Sequence, residues 1–344
     1  MDQTSVPKIK DVARMAGVST ATVSRALSKP ETVAKETREL VLEAAAQTGY
    51  RVNLAARNLR SHRTGTIVVM VPNLGNPFFS RILSGIESVV VDRGLSVLVV
   101  DTQFAKSKMD LVSNYIHHSR ADGFIVLDGS LPDEVVENLL DSSPQRPVIF
   151  ACEWLEDERF SFVRVNNRRG ASLAIDHLVG LGHSRIGYIN GPVENILTKA
   201  RFEGALTGFN EHDITIDAAW QFQGDFSLES GAVVARQWFA LEDRPSAIFC
   251  ANDEMAFGLI SELNQNGVKV PEDLSVVGFD DIDLSAHFIP PLTTIRQPRT
   301  ELGVSAAEML IKAVDDRAPG GELQSKVLPV ELMVRGSTAA PADR

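Results

Sequence analysis

From Thr66 onward the chain alternates short, unbroken apolar runs with amphipathic stretches, and few folds accept that pattern. TIVVMV (66–71), LSVLVV (95–100), GFIVL (123–127), RPVIFAC (146–152), SRIGYI (184–189), PSAIFCA (245–251) and LSVVGF (274–279) read as strands. Their continuous Val and Ile content suits parallel strands covered on both faces, with helices such as 78–93 and 168–181 as the covering layers. About ten strands are too many for one comfortable sheet, so two similar α/β lobes are expected, dividing near residue 163. A ligand of such sheets lies in the crevice at the carboxyl ends of the strands.

Polar and aromatic residues collect at those ends. PNLGNPFF (72–79) puts Asn73, Asn76, Phe78 and Phe79 after the first strand, CANDEMAFG (250–258) puts Asn252 and Asp253 after another, and VVGFDDID (276–283) puts Asp280 and Asp281 after a third. Carboxylates, amides and Arg make paired hydrogen bonds to neighbouring hydroxyls, and an aromatic face packs on the apolar face of a sugar or base. The set therefore suits a polyol, sugar or nucleoside, with Arg201 and Phe226 to complete it. Each residue also has an ordinary structural job open to it, Asp253 as a helix cap and Phe79 as a packed core ring.

The first 65 residues follow a different rule. In IKDVARMAGVSTATVSRAL (9–27), Ile9, Val12, Ala13 and Ala16 recur at helical spacing, Gly17 supplies a chain reversal, and Ser19 can cap a second helix that buries Val23 and Leu27. Thr20, Ala21, Thr22, Ser24 and Arg25 are left for the other face. Small and hydroxylated side chains let a helix approach a phosphate backbone closely, and one Arg can meet a guanine edge with two hydrogen bonds. VAKETRELVLEAAAQTGY (33–50) reads as a third helix, with Leu40, Val41, Ala44 and Ala45 facing inward and Gly49 as its stop. In RVNLAARNLRSHRTG (51–65), Asn53 can cap about two helical turns carrying Leu54 and Leu59. A helix that short is marginal in water, so it needs a symmetry mate and a DNA surface, or else it is a basic linker.

Charge separates the same two parts. The whole chain carries −11, yet residues 1–63 hold 11 Lys and Arg against 6 acids, a net of +5, and the other 281 residues carry −16. A basic head on an acidic body is what a DNA reader needs, since the head finds phosphate while the body is repelled from it.

Other classes find less support. MDQTSVPKIK has no apolar run, so no secretory signal is expected, and no segment approaches the ~20 apolar residues of a membrane span. The reading is a cytoplasmic protein without membrane, metal or cofactor. Cys152 and Cys250 sit inside strand-like runs, as buried thiols do in a reducing compartment. There is no GxxxxGK[ST] loop, GxSxG elbow, HExxH pair or GxGxxG turn, and His183 before a strand suits a structural hydrogen bond, so no enzyme is expected. The alternative is a solute-binding protein for a sugar transporter, which the body alone would support but which needs export.

Together the two parts resemble the lactose-repressor (LacI/GalR) family of bacterial regulators over nearly the full length. IKDVARMAGVSTATVSRAL, TGY (48–50), NPFFSRILSGIE, LGHSRIGYINGP, GDFSLESG, PSAIFCANDEMAFG, VPEDLSVVGFDDID and PPLTTIRQPRTELG carry the likeness. VSTATVSRAL, NPFFSRI and ELMVRGST bring it nearest the cytidine-responsive branch. The resemblance implies a helix-turn-helix DNA-binding domain at 1–51, a hinge helix and linker at 52–65, and a periplasmic-binding-protein-like effector and dimerisation domain at 66–344. Its first lobe would span about 66–163 and 294–322, its second about 164–290 and 325–340, with crossings near 162–165, 289–294 and 320–326.

It further implies a homodimer on a palindromic double-stranded operator. Thr20, Ala21 and Arg25 stand at the base-reading positions, with Ser19, Thr22 and Ser24 nearer phosphate. Leu59 matches a leucine wedged into the minor groove, flanked by Arg57 and Asn58, and Val52 stands where many relatives have proline. Phe78, Phe79, Arg201, Phe226, Asn252 and Asp280 match effector-contacting positions. Asn195 and Leu197 replace an Arg and a Thr of the purine-responsive members, which argues against a bare purine and leaves a sugar, sugar phosphate or nucleoside. The resemblance thus implies a repressor under allosteric control.

Overall fold

A computed structural model describes residues 7–28, 30–50, 64–103, 121–156, 159–316 and 322–342, in two compact units, Met1–Thr64 and Gly65–Arg344. The head holds helices α1 (Ile9–Ala16), α2 (Thr20–Ser28) and α3 (Lys35–Thr48). Gly17 ends α1 with φ of 65°, a left-handed conformation that glycine adopts without a Cβ clash. Ser19 Oγ accepts from the Thr22 N–H at 3.1 Å and so caps α2. Val12, Ala13, Val23, Ala26, Val41 and Ala44 form the buried core, with Leu27 and Ala45 packed on its rim. Leu40 was expected inside but is 54% exposed. It precedes Val41 by one residue, about 100° around the helix, so the stripe that buries Val41 and Ala44 turns it outward. Val52, Asn53, Arg57, Asn58 and Leu59 lie outside the described residues.

The body begins with strands β1 (Thr66–Val71), β2 (Ser96–Asp101), β3 (Gly123–Val126), β4 (Val148–Ala151) and β5 (Ser161–Val165), among which run α4 (Phe78–Asp92) and α5 (Asp133–Ser142). A second series follows: β6 (Ile186–Asn190), β7 (Gln221–Gln223), β8 (Ala247–Cys250), β9 (Ser275–Asp280) and β10 (Thr293–Arg296). It is threaded by α6 (Asn167–Gly180), α7 (Ile196–Glu211), α8 (Leu228–Ala240) and α9 (Asp253–Gln265). Helix α10 (Arg299–Asp316) and strands β11 (Ser325–Leu328) and β12 (Glu331–Met333) close the chain.

The two sheets have the same order, β2-β1-β3-β4-β5-β11 in one lobe and β7-β6-β8-β9-β10-β12 in the other. Pairing is parallel except where β12 runs against β10. Val69 of β1, for example, stands opposite Val99 of β2 and Ile125 of β3, and β1 is buried from Ile67 to Val71, as a strand with helices on both faces must be.

Two of the expected crossings move. Strand β10 pairs with β9 in the second lobe, and β11 with β5 in the first. The chain therefore changes lobes after β5, between β10 and α10, and between β11 and β12, later than 289–294 and 320–326. TTIR is too short to stand out as a strand in the sequence, and its partner strand is a tertiary choice that local sequence does not encode.

Helix α10 packs on α4 through two glycines. A Cβ at Gly85 would lie 2.3 Å from the Thr300 carbonyl oxygen, and one at Gly303 would lie 2.1 Å from that of Ile82. At the far end of the second lobe, buried His183 bonds Ser246 Oγ, Ser275 Oγ and the Ala339 carbonyl at 2.8, 3.1 and 2.9 Å, tying down the C-terminal segment. Cys152 and Cys250 are buried free thiols, and burial pushes both well up from the ordinary thiol range. No described helix is long and apolar enough to cross a membrane.

Candidate functional site

In the head, the outer face of α2 presents Thr20, Ala21 and Arg25 to solvent. Thr22 and Ser24 are half-buried, and the Ser19 and Thr22 hydroxyls bond each other at 2.9 Å. Those two hydroxyls fix the start of the helix, while Thr20, Ala21 and Arg25 have the reach to meet a base edge.

In the body, the polar residues gather where the strands end. Arg201, on α7, is 2% exposed. Its Nε donates to Asn167 Oδ1 at 2.9 Å, Nη1 donates to the Ala251 carbonyl, Nη2 lies 3.5 Å from Asp280 Oδ1, and the guanidinium sits 3.9 Å above the Phe279 ring. Asp280, the last residue of β9, also accepts from Gln297 Nε2 at 2.7 Å. Asn252 caps α9 by accepting from the Met255 N–H, and its Nδ2 donates to the Phe226 carbonyl at 2.9 Å. The Phe226 ring lies against Gly191, where a Cβ would come within 2.2 Å of it. Arg201, Phe226, Asn252 and Asp280 thus lie around one end of the second sheet.

Phe78 and Phe79 pack edge to face at 5.2 Å and are almost fully buried in the first lobe's core. Arg299 connects that region to the same crevice, with Nη1 3.5 Å from the Phe78 carbonyl and Nη2 donating to the Asp281 carbonyl at 3.0 Å. Asp253 is not the expected helix cap, since Asn252 takes that place; its job is structural in another way, its carboxylate accepting from Ile282 N, Ser285 Oγ and Thr294 Oγ1.

Backbone strain marks the same place. Of five described non-glycine residues with positive φ, Cys152, Phe226, Asp280 and Asp281 follow or end strands at the crevice, and Asp280 reaches 123°. Such strain persists only where surrounding structure enforces it, and it clusters at ligand sites.

Several crevice residues escaped the sequence reading. Buried Asp128 follows β3 and accepts from Thr102 Oγ1 and from the Ser130 N–H and Oγ. Buried Glu153 follows β4, accepts from the Gly129 N–H at 2.6 Å, and accepts from Asn195 Nδ2 at 2.9 Å. Asn195 also caps α7 through Leu197 N, so this bond ties the two lobes together. The signal was available, because each acid directly follows an apolar run already read as a strand.

Burial pushes the Glu153 carboxyl up to about 7, against the pull of its bonds from Asn195 and Gly129. Burial likewise raises Asp253 and Asp280, the first further by the charge of the second, while Arg201 draws Asp280 back down. Between the unfolded value near 4.5 and about 7, folded Glu153 holds a proton that the unfolded chain has lost. The body therefore loses stability as pH rises through that window, by about 3 kcal/mol for this group. Glu153→Gln loses one of the two N–H bonds, since Nε2 cannot accept, so the mutant should gain on the parent as pH rises from 4 to 8; a mutant-to-parent difference in urea midpoint that does not change with pH would contradict this.

Residues 8–53 match the family model for bacterial regulatory proteins of the lacI family, and residues 175–338 match a periplasmic binding protein-like domain. The chain is 37% identical over 338 residues to the HTH-type transcriptional repressor CytR of Escherichia coli K12, covering 98% of each chain. It superposes on the Lac repressor dimer bound to operator and the anti-inducer ONPF with a TM-score of 0.83 at 30% identity, covering 97% of this chain and 99% of that one. A LacI family regulator from Enterococcus faecium with bound ribose matches at a TM-score of 0.71 and 31% identity, covering 80% and 99%.

Proposed function

The chain belongs to the lacI family of bacterial regulatory proteins, and from that premise we propose that it is a transcriptional repressor that grips a palindromic operator as a homodimer and answers to a small effector. The observation that carries this reading is the face of α2, with Thr20, Ala21 and Arg25 exposed on a helix whose opposite side is locked into a small core. The head's net charge of +5 supplies the nonspecific attraction to phosphate. Asn53, Arg57, Asn58 and Leu59 form the proposed hinge contact, with Leu59 as the minor-groove wedge. A DNA reader works in the compartment that holds the chromosome, which places this one in the cytoplasm.

The proposed effector site is the crevice around Arg201, Phe226, Asn252 and Asp280, with Phe78 and Phe79 on the first-lobe side. An effector acts only through its different affinities for the two lobe arrangements, typically ~1–3 kcal/mol of coupling. No enzyme chemistry enters this account, and a solute carrier would have no use for the basic head.

The test is selection of duplexes from a random library by the full chain, followed by anisotropy titration at several salt concentrations. A palindromic consensus with steeply salt-dependent affinity is expected; binding without sequence preference overturns the reading. Arg25→Ala should erase preference at one base pair of each half-site, costing about 1–3 kcal/mol per contact while leaving the salt slope nearly intact. An unchanged consensus removes Arg25 from the base-reading set.

A further inference from the structure

Three carboxylates leave the end of β9 in three directions. Asp280 turns inward to Arg201, and Asp281 accepts from Arg296 Nε and Arg335 Nη2, each at 2.6 Å, all within the second lobe. Asp283 instead reaches the first lobe. Arg81 Nη2 on α4 donates to its Oδ2 at 2.8 Å, and Arg299 Nη2 at the start of α10 donates to its Oδ1 at 3.0 Å. The positive φ values of Asp280 and Asp281 turn the chain so that these neighbouring side chains diverge.

Both sides of the Asp283 contact are held stiffly. The turn Asp283–Ala286 is anchored to the second lobe because the Asp253 carboxylate accepts from Ile282 N at 3.0 Å and from Ser285 Oγ at 2.6 Å. On the other side, α4 and α10 meet backbone to backbone at Gly85 and Gly303, so one packed pair of helices carries both arginines. The two arginines differ in their tethers. Arg299 is 7% exposed, stands just after the chain crosses from β10 to α10, and also donates to the Asp281 carbonyl, so it stays beside Asp283 when the lobes turn about their crossings. Among the described residues the Arg81 guanidinium bonds Asp283 alone, and their side chains are 56% and 63% exposed. Arg81, more than Arg299, draws the Asp283 carboxyl below the usual carboxylate range. A pair this exposed adds little to folding stability and weakens as salt screens it. A balance between two lobe arrangements is finer than the balance of folding, so a bond made in only one of them shifts the populations by a readable factor.

We propose that the Arg81–Asp283 bond is a salt-sensitive clasp between the lobes: closed, it favours the lobe arrangement of this structure, and released by salt or by substitution, it lets the lobes turn with Arg299 at the pivot. The proposal goes beyond the repressor reading and stands on the body alone, since it invokes neither operator nor effector. In a regulator governed by lobe arrangement, the clasp would make the effector response depend on ionic strength separately from the head's own attraction to phosphate.

Pulsed dipolar spin resonance on the full chain tests it, with nitroxide labels on Asp141→Cys in α5 and Gln237→Cys in α8, one exposed site on each lobe. Cys152 and Cys250 are buried, and the parent without added cysteines serves as the blank. Labelled chain is mixed with an excess of unlabelled chain, so that distances are read within one chain. At about 0.05 M NaCl one inter-lobe distance should dominate, and about 0.5 M NaCl should lower its share relative to a second distance roughly two- to fivefold. Arg81→Gln should show the same shift already at low salt, salt should move it no further, and its melting temperature should stay close to the parent's. In an Asp283→Asn background, Arg81→Gln should have no additional effect. A low-salt distribution in Arg81→Gln equal to the parent's overturns the clasp, as does a parent distribution that salt leaves unchanged. A lowered melting temperature with unmoved distances would make Arg81 a merely structural residue and overturns it too. An equal shift by Arg81→Gln with and without the Asp283 carboxylate overturns the pairing. The head takes no part in these distances, so palindrome selection by the same preparation reports separately on the DNA-reading function.

Discussion

Arg201→Met should destabilise the body by about 3–5 kcal/mol near neutral pH, because it strands Asp280 as an uncompensated buried charge. Methionine keeps much of the volume over the Phe279 ring but none of the bonds to Asn167 and Ala251. The loss should depend on pH with a definite sign. Without its cation, the Asp280 carboxyl rises further above its unfolded value, so the folded state holds a proton that the unfolded chain gives up. Stability then falls as pH rises through that interval, and the penalty shrinks as pH is lowered toward the unfolded carboxyl value. Asp280→Asn in the same background should recover most of it near neutral pH. Urea denaturation at pH 7.5 and pH 5 provides the measurement; a loss below about 1 kcal/mol, or one independent of pH, would mean that Arg201 is not the counter-charge of Asp280. The same substitution should abolish the operator response to effector, since it removes a crevice wall and frees Asn167.

Gly303→Ala should destabilise the first lobe by about 2–4 kcal/mol, although on helix propensity alone it should stabilise by about 1 kcal/mol. The added methyl would sit 2.1 Å from the Ile82 carbonyl oxygen, which belongs to backbone and cannot rotate away, so α10 and α4 must separate. Separation loosens packing along the crossing, at a cost that exceeds the propensity gain. Gly180→Ala is the matched control: no atom lies within 4 Å of its Cβ position, so a neutral or stabilising outcome is expected there. If the two substitutions gave the same urea midpoint, close approach of α4 and α10 would not be what holds that pair together.

Much of the fold was legible because both of its periodicities are strong. The seven apolar runs from TIVVMV to LSVVGF each overlap an observed strand, with ends that agree within two residues. The extent of α4 and α6 agrees with the sequence reading within a residue. The short strands β5, β7, β10, β11 and β12 were harder. SFVRV, QFQ and TTIR are too short or too polar to stand out, and their place in a sheet depends on neighbours far away in sequence. Leu40 was misplaced for a related reason, since an apolar residue beside an amphipathic stripe looks like part of it until the helix is wound.

The crevice was partly legible. Arg201, Phe226, Asn252 and Asp280 are chemically conspicuous residues after strands, and the fold gathers them. Asp128 and Glu153 were equally available by position, but DG and CEW look like turn sequence until the two lobes face each other. Thr198 and Gln297 could not be singled out at all, because what distinguishes them is that Thr198 Oγ1 and Gln297 Oε1 are buried with no hydrogen-bond partner among the described residues, a property of three-dimensional surroundings.

By itself the sequence determined the class of this protein: a helix-turn-helix head with a net positive charge, two α/β lobes and the polar strand ends that give a ligand somewhere to bind. These follow from residue periodicity, turn chemistry and charge, which act over a few positions and can be read locally. Only the tertiary structure decided which lobe each closing strand joins, that Arg201 is already committed to Asp280, that Glu153 reaches Asn195 across the lobes, and that three buried side-chain polar atoms among the described residues are left unpaired. Those are matters of distance between segments far apart in the chain, set by packing and desolvation, which no short stretch of sequence encodes.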